Sequence, residues 1–269
     1  MKRIEENKKA NSALPSAKPQ YNFYPGSGND INSQYGIDCE KCNNSGFIAY
    51  KDKQGIEHYM RCACFKTWLT KKRLKESGLS GVIDRYTFDN FKVNNDLQKV
   101  IKEMALKFLE ASDSWFYIGG QSGGGKTHIC TALCNKLISE KNKSLEYITW
   151  VTWAERVNMA KRSSDSEEQS KLFDRCKNVD VLYIDDLFKN GKDKNGNVTP
   201  PTSAEIKKAF EILDYRDKNK LTTIISSEYT IMKIIDYDQA VGGRIVERCG
   251  GFIININSGE SNNYRLNRR

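Results

Sequence analysis

A glycine-rich segment in the middle of the chain has the residue types and spacing of a phosphate-binding loop. It follows the apolar run from Trp115 to Gly119 and reads G-x-x-x-x-G-K-T, with a helical pattern behind it. Glycines let successive backbone N–H groups turn toward an anion, and the start of the following helix also favours negative charge. The segment therefore predicts a binding site for a nucleoside triphosphate. Its candidate residues are Gly120, Gln121, Ser122, Gly123, Gly124, Gly125, Lys126, Thr127 and His128.

Two side chains of this segment have a direct chemical role. The Lys126 ammonium can reach the β- and γ-phosphates and act in catalysis, and the Thr127 hydroxyl can coordinate Mg²⁺. We therefore expect ATP together with Mg²⁺ as the ligand. A GTP-specific role is disfavoured, because the sequence contains no Asn/Thr-Lys-x-Asp motif that would read a guanine base.

A pair of carboxylates ends an apolar run later in the chain. The run from Val181 to Ile184 is typical of a buried strand, and Asp185 and Asp186 follow it directly. Ligands of parallel sheets collect at the carboxyl ends of the strands. We expect Asp185 to hold Mg²⁺, usually through water, and Asp186 to orient or deprotonate the attacking water. The alternative is a strand that simply ends in a polar turn.

Four of the eight cysteines form two close pairs, one with C-x-x-C spacing and one with C-x-C spacing. Tetrahedral zinc takes four soft ligands, and each pair supplies two of them from one turn. We predict a structural Zn²⁺ site around a short hairpin that turns at Gly55. His58 is able to replace one ligand, and scattered reduced thiols are the alternative. The predicted ligands are Cys39, Cys42, Cys62 and Cys64.

The charge balance of the chain is basic. Lys and Arg number 43 against 34 Asp and Glu, which gives a net charge of +9 and a pI of about 9.0. A nucleic-acid partner fits this balance, and so does a basic surface that only keeps the protein soluble. No apolar run approaches the ~18 residues that cross a membrane, and the N-terminus lacks the apolar core of a signal peptide. We therefore expect a cytoplasmic protein without a membrane partner.

Four regions are predicted along the chain. Residues 1–38 are rich in Asn, Ser, Lys, Pro and Gly, and this composition is typical of a disordered segment. Residues 39–80 contain the zinc module and a basic connector helix. Residues 81–257 form the ATPase domain, and residues 258–269 form a basic C-terminal tail.

Strand-like and helical patterns alternate through the predicted ATPase domain. After the run that precedes the glycine-rich segment, further strand-like runs occupy residues 145–149, 179–184, 221–226 and 251–256. Helical segments such as residues 202–218 separate them. This alternation predicts an α/β fold with a five-stranded parallel sheet covered on both faces.

Several segments resemble one group of ATPases. Residues 86–91, ahead of a helix, a strand and G-K-T-H, resemble the start of the AAA+ module of bacterial replication initiators and helicase loaders. Residues 185–188, 223–228 and 243–248 look like the DnaC/DnaI helicase-loader group. The zinc module looks like the DnaI side, in phage or phage-derived versions especially. The resemblance implies an AAA+ P-loop NTPase core that has no lid domain and is preceded by the zinc module.

The resemblance also implies roles for single residues. Arg248 matches the catalytic arginine that such proteins present to the ATP of a neighbouring subunit, and Arg244 lies one helical turn earlier. A surface ion pair of Arg248 with Glu247 or Asp238 is the alternative.

Ser227 and Glu228 occupy the position at which many relatives contact the γ-phosphate with polar side chains. Glu228 cannot donate a hydrogen bond when it is ionised. Ser226 or Ser227 can take that role instead.

The function that the resemblance implies is ATP-dependent loading of a replicative helicase onto single-stranded DNA. The zinc module and the N-terminal region would hold the helicase, and the ATPase domain would form homo-oligomers on ATP binding. A transposase-helper ATPase shares the AAA+ core but typically lacks a zinc module. A small-molecule kinase would need neither that module nor the Arg-x-x-x-Arg element.

Two segments are candidates for contact with DNA. Residues 150–177 combine aromatic and basic groups that suit single strands, although a solvated helix pair explains the pattern nearly as well. The aromatic and basic side chains of this segment include Trp153, Arg156, Lys161, Arg162 and Lys171. The second candidate is residues 189–201, with Lys189, Lys192 and Lys194, which can equally form a mobile cover over the ATP site.

Overall fold

The computed structural model divides the chain into two compact units, Met1–Phe65 and Lys66–Arg269. It describes residues 24–26, 28–76, 80–83, 85–111, 113–191 and 199–264. Most of the segment predicted to be disordered, residues 1–23, and the end of the predicted basic tail, residues 265–269, lie outside the described residues. None of the helices in the described ranges is long and apolar enough to cross a membrane.

The first unit contains a small antiparallel sheet with the strand order β1-β2-β3. Its strands are β1 (Tyr24–Pro25), β2 (Phe47–Lys51) and β3 (Glu57–Arg61). The hairpin between β2 and β3 turns at Gly55 as predicted, with φ of +83° at that glycine. The Asp52 carboxylate accepts hydrogen bonds from the N–H groups of Gln54 and Ile56 and closes the turn. Strand β1 and a 3-10 helix at Ser33–Tyr35 lie within the segment that composition predicts to be disordered.

The second unit is built on a parallel sheet with the strand order β5-β6-β7-β4-β8. The five-stranded parallel sheet predicted from the sequence is therefore confirmed. Each strand begins within about two residues of its predicted start, which is the usual uncertainty of such boundaries. The strands are β4 (Phe116–Gly120), β5 (Leu145–Thr149), β6 (Val181–Asp185), β7 (Thr222–Ser227) and β8 (Ile253–Ile256).

Several of the helices are capped by the polar residue that precedes them. The Asn95 side chain accepts from the Gln98 N–H at the start of α3, and Thr202 and Glu205 form a capping box at the start of α7. The helices are α1 (Cys64–Glu76), α2 (Ser80–Ile83), α3 (Asp96–Glu110), α4 (Lys126–Ser139), α5 (Trp150–Arg162), α6 (Ser166–Asn178), α7 (Ser203–Lys218), α8 (Ile231–Tyr237) and α9 (Gln239–Cys249).

Both faces of the parallel sheet are buried under these helices. On β4, Phe116 and Ile118 pack in one apolar cluster with side chains of α3 and α4. Tyr117 points to the other cluster, which contains side chains of α5 to α9. Because successive residues of a strand face opposite sides, burial on both sides requires a continuous apolar run. This requirement explains the apolar runs of β4 and β6 in the sequence.

A buried arginine ties the amino-terminal ends of two neighbouring strands together. The Arg216 guanidinium, which has no exposed surface, donates to the carbonyl of Val179 ahead of β6 at 3.0 Å. It also donates to the Thr222 carbonyl at 2.5 Å and to the Thr223 hydroxyl at 3.0 Å, both at the start of β7. These bonds hold β6 and β7 side by side at the end of the sheet opposite the candidate site.

Candidate functional site

The strand order brings three carboxyl ends of the sheet together. Strand β7 pairs with β4 on one side and with β6 on the other, so the segments that leave these strands are neighbours. A cavity of about 760 Å³ opens at this edge. The glycine-rich loop after β4, Asp186 after β6 and Glu228 after β7 all line it. Residues of the predicted phosphate-binding loop and Asp186 of the acidic pair therefore line one cavity.

The glycine-rich loop has a backbone conformation that depends on glycine. Gly120 has φ of +107°, and a Cβ atom there would lie 2.1 Å from the Ile256 carbonyl oxygen. Gly125, the last residue before α4, has φ of +82°. The loop curls tightly enough for the Lys126 ammonium to donate to the carbonyls of Gly120 and Gln121, both at 2.8 Å. A glycine-rich loop curled in this way at the start of a helix suits phosphate oxygens, because backbone N–H groups and a lysine are available to one anion.

Burial changes the electrostatics of Lys126. It lowers the pKa of the ammonium below its ordinary value, and the nearby carboxylates of Asp186 and Glu228 oppose this shift. The cation therefore lies close to carboxylates while still bonded to its own loop.

The Asp185 carboxylate is fixed by hydroxyl groups. It is buried and accepts hydrogen bonds from Tyr183 at 2.8 Å, from Tyr147 at 3.1 Å and from the Ser226 hydroxyl. Burial and this carboxylate raise the pKa values of both tyrosines, so both hydroxyls remain donors. The Thr127 hydroxyl lies 3.5 Å from Asp185 Oδ1. A threonine hydroxyl beside a fixed carboxylate is an all-oxygen donor set of the kind that Mg²⁺ prefers.

Asp186 points to a different partner. Its backbone has φ of +57°, and its N–H donates to the Ser226 hydroxyl at 3.0 Å. Its carboxylate pairs with the Lys189 ammonium at 2.9 Å, and Lys189 also pairs with Glu228 at 3.0 Å. Burial alone would lower the pKa of Lys189, but hydrogen bonds to the two carboxylates raise it. From the sequence, Lys189 belongs to a segment expected either to contact DNA or to cover the ATP site, and its ion pair with Asp186 was not predicted.

Aromatic rings line another part of the same cavity. The His128 ring stacks on Tyr86 with centroids 4.7 Å apart, and its Nε2 lies 2.9 Å from the Thr87 carbonyl oxygen. Tyr264 also lines the cavity, and its N–H donates to the Gly123 carbonyl at 2.9 Å. Flat aromatic surfaces beside a phosphate-binding loop are suited to a nucleotide base. No local pattern in the sequence connects Tyr264 with the distant glycine-rich loop.

Arg244 and Arg248 form ion pairs on α9. Arg244 pairs with Asp214 at 2.9 Å and with Asp217 at 3.2 Å, whereas Arg248 Nε lies 3.4 Å from Asp217. The Arg248 guanidinium also donates to the Asp113 carbonyl. The acidic partner of Arg248 is thus Asp217, rather than Glu247 or Asp238.

Of the two interpretations of residues 150–177, stacking of bases on Trp153 is contradicted by the burial of its ring. Trp150 and Trp153 are buried in the core, with ring centroids 5.4 Å apart. Of the basic residues nearby, Arg156 pairs with Glu168 at 3.0 Å. The helix pair α5 and α6 therefore presents charged side chains to solvent and its tryptophans to the core. In the second DNA-contact candidate, residues 192–198, including Lys192 and Lys194, lie outside the described residues.

The four cysteines predicted to bind zinc form one cluster in the first unit. Their sulfur atoms all lie within 4.8 Å of one another. The distance is 3.7 Å between Cys39 and Cys62 and 3.4 Å between Cys42 and Cys64. Sulfur atoms that surround zinc tetrahedrally at ~2.3 Å stand about 3.8 Å apart, whereas a disulfide requires about 2.05 Å. The cluster therefore fits a Zn²⁺ ion and not two disulfides.

Two neighbouring groups donate hydrogen bonds to sulfur atoms of this cluster. The Gly46 N–H donates to Cys42 Sγ at 3.3 Å, and the Asn32 amide donates to Cys64 Sγ at 3.3 Å. Burial raises the pKa values of Cys42 and Cys64, so a bound cation would have to displace their protons. His58 Nε2 lies 2.7 Å from Asp52 and is not needed as a substitute ligand.

The fold and the cavity are those of the P-loop domains of the AAA+ class. The profile of the family described as bacterial DnaA ATPase domain matches residues 82–230. The chain belongs to this family.

Individual proteins show the same relationship. The chain is 28% identical to the phage-like element PBSX protein XkdC of Bacillus subtilis (strain 168) over 243 residues, which are 86% of each chain. It is 25% identical to the replicative helicase loader DnaC of Escherichia coli (strain K12) over 181 residues, 66% of this chain and 68% of DnaC. A crystal structure of the DnaC helicase loader has the same fold, with a TM-score of 0.52 and 17% identity. It covers 66% of this chain and 98% of that one. The predicted resemblance to the helicase-loader group is confirmed.

The cysteine cluster leads to a first prediction. Purified protein should contain about one equivalent of zinc, because four convergent thiolates form a closed tetrahedral site. Cys42→Ser should lose the metal and lower the midpoint of thermal unfolding. Cys249→Ala, which changes a buried cysteine of the other unit, should keep it. Elemental analysis of the three proteins checks this. Wild-type protein without zinc, or Cys42→Ser with a full equivalent, would contradict the site.

Proposed function

We propose that the chain is an ATP-dependent DNA replication protein that binds a replicative helicase and loads it onto single-stranded DNA. The observation that carries the proposal is the cavity lined by Lys126, Thr127 and Asp186, with the Asp185 carboxylate directly beside the Thr127 hydroxyl. A similar helicase loader among the relatives and a DnaA-type ATPase domain support it.

Nucleotide binding would use groups that already face the cavity. The Lys126 ammonium would exchange its bonds to two loop carbonyls for phosphate oxygens, which are stronger acceptors because they are charged. The backbone N–H groups from Ser122 to Thr127 would surround the phosphates. The base would lie against the aromatic side of the cavity near Tyr86 and Tyr264. ATP is the expected nucleotide.

The two aspartates would have different roles in hydrolysis. Thr127 and Asp185 would hold Mg²⁺, which supplies positive charge to the phosphate oxygens. Asp186 would accept a hydrogen bond from the attacking water and orient it toward the γ-phosphorus. A new phosphorus–oxygen bond would form with that water while the bond to the β–γ bridging oxygen breaks. The products are ADP, inorganic phosphate and one proton, and Lys126 would stabilise the charge on the departing oxygen.

Arg248 would complete the site of a neighbouring subunit in a homo-oligomer. To do so it must leave Asp217 and the Asp113 carbonyl, which hold it in a single chain. These are partly exposed interactions of modest strength, so an incoming polyphosphate can compete for the guanidinium. A cation supplied in this way adds about 10³–10⁵ in rate where it operates.

The proposed partners are a replicative helicase and single-stranded DNA. The zinc module and the N-terminal region would hold the helicase, and the net charge of +9 suits single-stranded DNA in the cytoplasm. A transposase-helper ATPase is the second candidate. The cysteine cluster ahead of the ATPase domain favours the loader.

Substitutions in the cavity give a second prediction. Lys126→Ala should abolish detectable ATP binding, because it removes the cation of the phosphate-binding loop. Asp185→Asn should mainly weaken binding that depends on Mg²⁺, whereas Asp186→Asn should keep binding and slow turnover by roughly 10²-fold or more. Calorimetric titration and steady-state phosphate release measure the two effects. Asp236→Asn, at an exposed position on α8, is the control. Unchanged turnover in Asp186→Asn would remove that residue from the water-orienting role.

Arg248 gives a third prediction, which tests assembly. Arg248→Ala should bind ATP as wild type does in dilute protein but lose the activity that rises with protein concentration. A mixture of Arg248→Ala and Lys126→Ala should recover activity, because one interface then combines an intact cavity with an intact arginine. Phosphate release over a range of mixing ratios measures this. Full activity of Arg248→Ala alone would make Arg244 the candidate.

A fourth prediction tests the loading function itself. The tagged chain with a non-hydrolysable ATP analogue should capture the replicative helicase of its source cells. The purified pair should then start unwinding on single-stranded DNA covered by binding protein, and Lys126→Ala should not. Capture of a transposase instead of a helicase would favour the second candidate.

A further inference from the structure

One lysine of the cavity has two carboxylate partners and no role in the mechanism above. The Lys189 ammonium lies 2.9 Å from Asp186 Oδ2 and 3.0 Å from Glu228 Oε1. The cavity that these three residues line also contains Lys126. Lys189 is thus a second cation at the phosphate-binding edge of the sheet.

The fold holds Lys189 at this position through a tight turn. Asp186 and Phe188 both have positive φ, and the Lys189 N–H donates to the Asp186 carbonyl at 2.9 Å. The Leu187 N–H donates to the Ser226 carbonyl of β7 at 2.8 Å. The Phe188 ring is buried against Trp150, with centroids 5.5 Å apart. The turn is therefore pinned to the sheet and to the core on either side of the lysine.

Lys189 offsets the negative charge that its two carboxylate partners place beside the phosphate-binding loop. Glu228 follows β7, which lies between the loop strand β4 and the acidic strand β6. Two carboxylates at this point would repel the terminal phosphate of a bound triphosphate. The shared Lys189 cation offsets that repulsion, and its side chain is only half-buried, so it can turn toward an incoming phosphate. A bound nucleoside diphosphate has no γ-phosphate for the Lys189 ammonium to contact.

We propose that Lys189 recognises the terminal phosphate of a bound nucleoside triphosphate, and that Glu228 is a positioning residue that holds its ammonium. This inference rests on the proposed nucleotide site and specifies how that site distinguishes ATP from ADP. When Lys189 turns toward the phosphate, Asp186 loses its ion pair and its carboxylate becomes available to a water molecule. The lysine therefore couples the presence of the terminal phosphate to the release of Asp186.

The first arm of the test compares two ligands. Calorimetric titration with ADP and with the β,γ-methylene analogue of ATP, both with Mg²⁺, gives the two affinities. Lys189→Ala should weaken binding of the analogue about tenfold and change ADP binding by less than about twofold, since one charge-assisted contact is lost. Lys136→Ala removes an exposed lysine that pairs with Glu140 and should change neither affinity. Lys189→Arg should restore part of the discrimination.

The second arm tests whether the effect of Glu228→Gln on analogue binding reverses when Lys189 is absent. Glu228→Gln alone should weaken analogue binding, because Lys189 loses a partner. In the Lys189→Ala background the same change should strengthen it, because an unpaired negative charge is removed. Equal losses for ADP and the analogue in Lys189→Ala, or no loss, would overturn the inference while leaving the nucleotide site intact. Failure of the wild-type protein to bind either nucleotide would instead refute the proposed function.

Discussion

Hydrogen bonding among three parallel strands is the constraint on which the candidate site depends. Strand β7 pairs Ser226 with Ile118 of β4 and Ile225 with Ile184 of β6. These pairings place the glycine-rich loop, the aspartate pair and Glu228 at one edge, although they are far apart in the sequence. A slip of one residue in either pairing would exchange side chains between the two apolar clusters, so burial on both faces holds the register.

The charges at this edge are of two kinds, which suit two tasks. Asp185 is 6% exposed, and a carboxylate so buried is stable only because hydroxyl groups satisfy its oxygens. It is therefore preorganised and suited to a metal that must be held in one place. Asp186, Glu228 and Lys189 share ion pairs that are partly open to solvent. Such pairs rearrange at small cost, which suits groups that must respond to the nucleotide.

The parts of the site that were predictable from sequence are those whose contacts are local or whose pattern repeats. Lys126 bonds to the carbonyl of Gly120 within one loop, so spacing alone predicts its position. The five parallel strands follow from alternating apolar runs. The contact between Lys189 and Glu228 depends on which strands are neighbours, and no local pattern encodes that order. For Trp153, in contrast, the sequence did contain the information. Its helical spacing from Trp150 indicates a face turned to the core, which leaves the ring unavailable to bases.

The most direct test of nucleotide binding at this edge is a crystal structure of the chain with β,γ-methylene-ATP and Mg²⁺. The triphosphate should lie in the glycine-rich loop with Lys126 on its phosphates, the metal beside Thr127 and Asp185, and the base toward Tyr86. The Lys189 ammonium should be found on the terminal phosphate and no longer on Asp186. A nucleotide bound elsewhere, or a loop with the Lys126 bonds to Gly120 and Gln121 unchanged, would contradict the assignment.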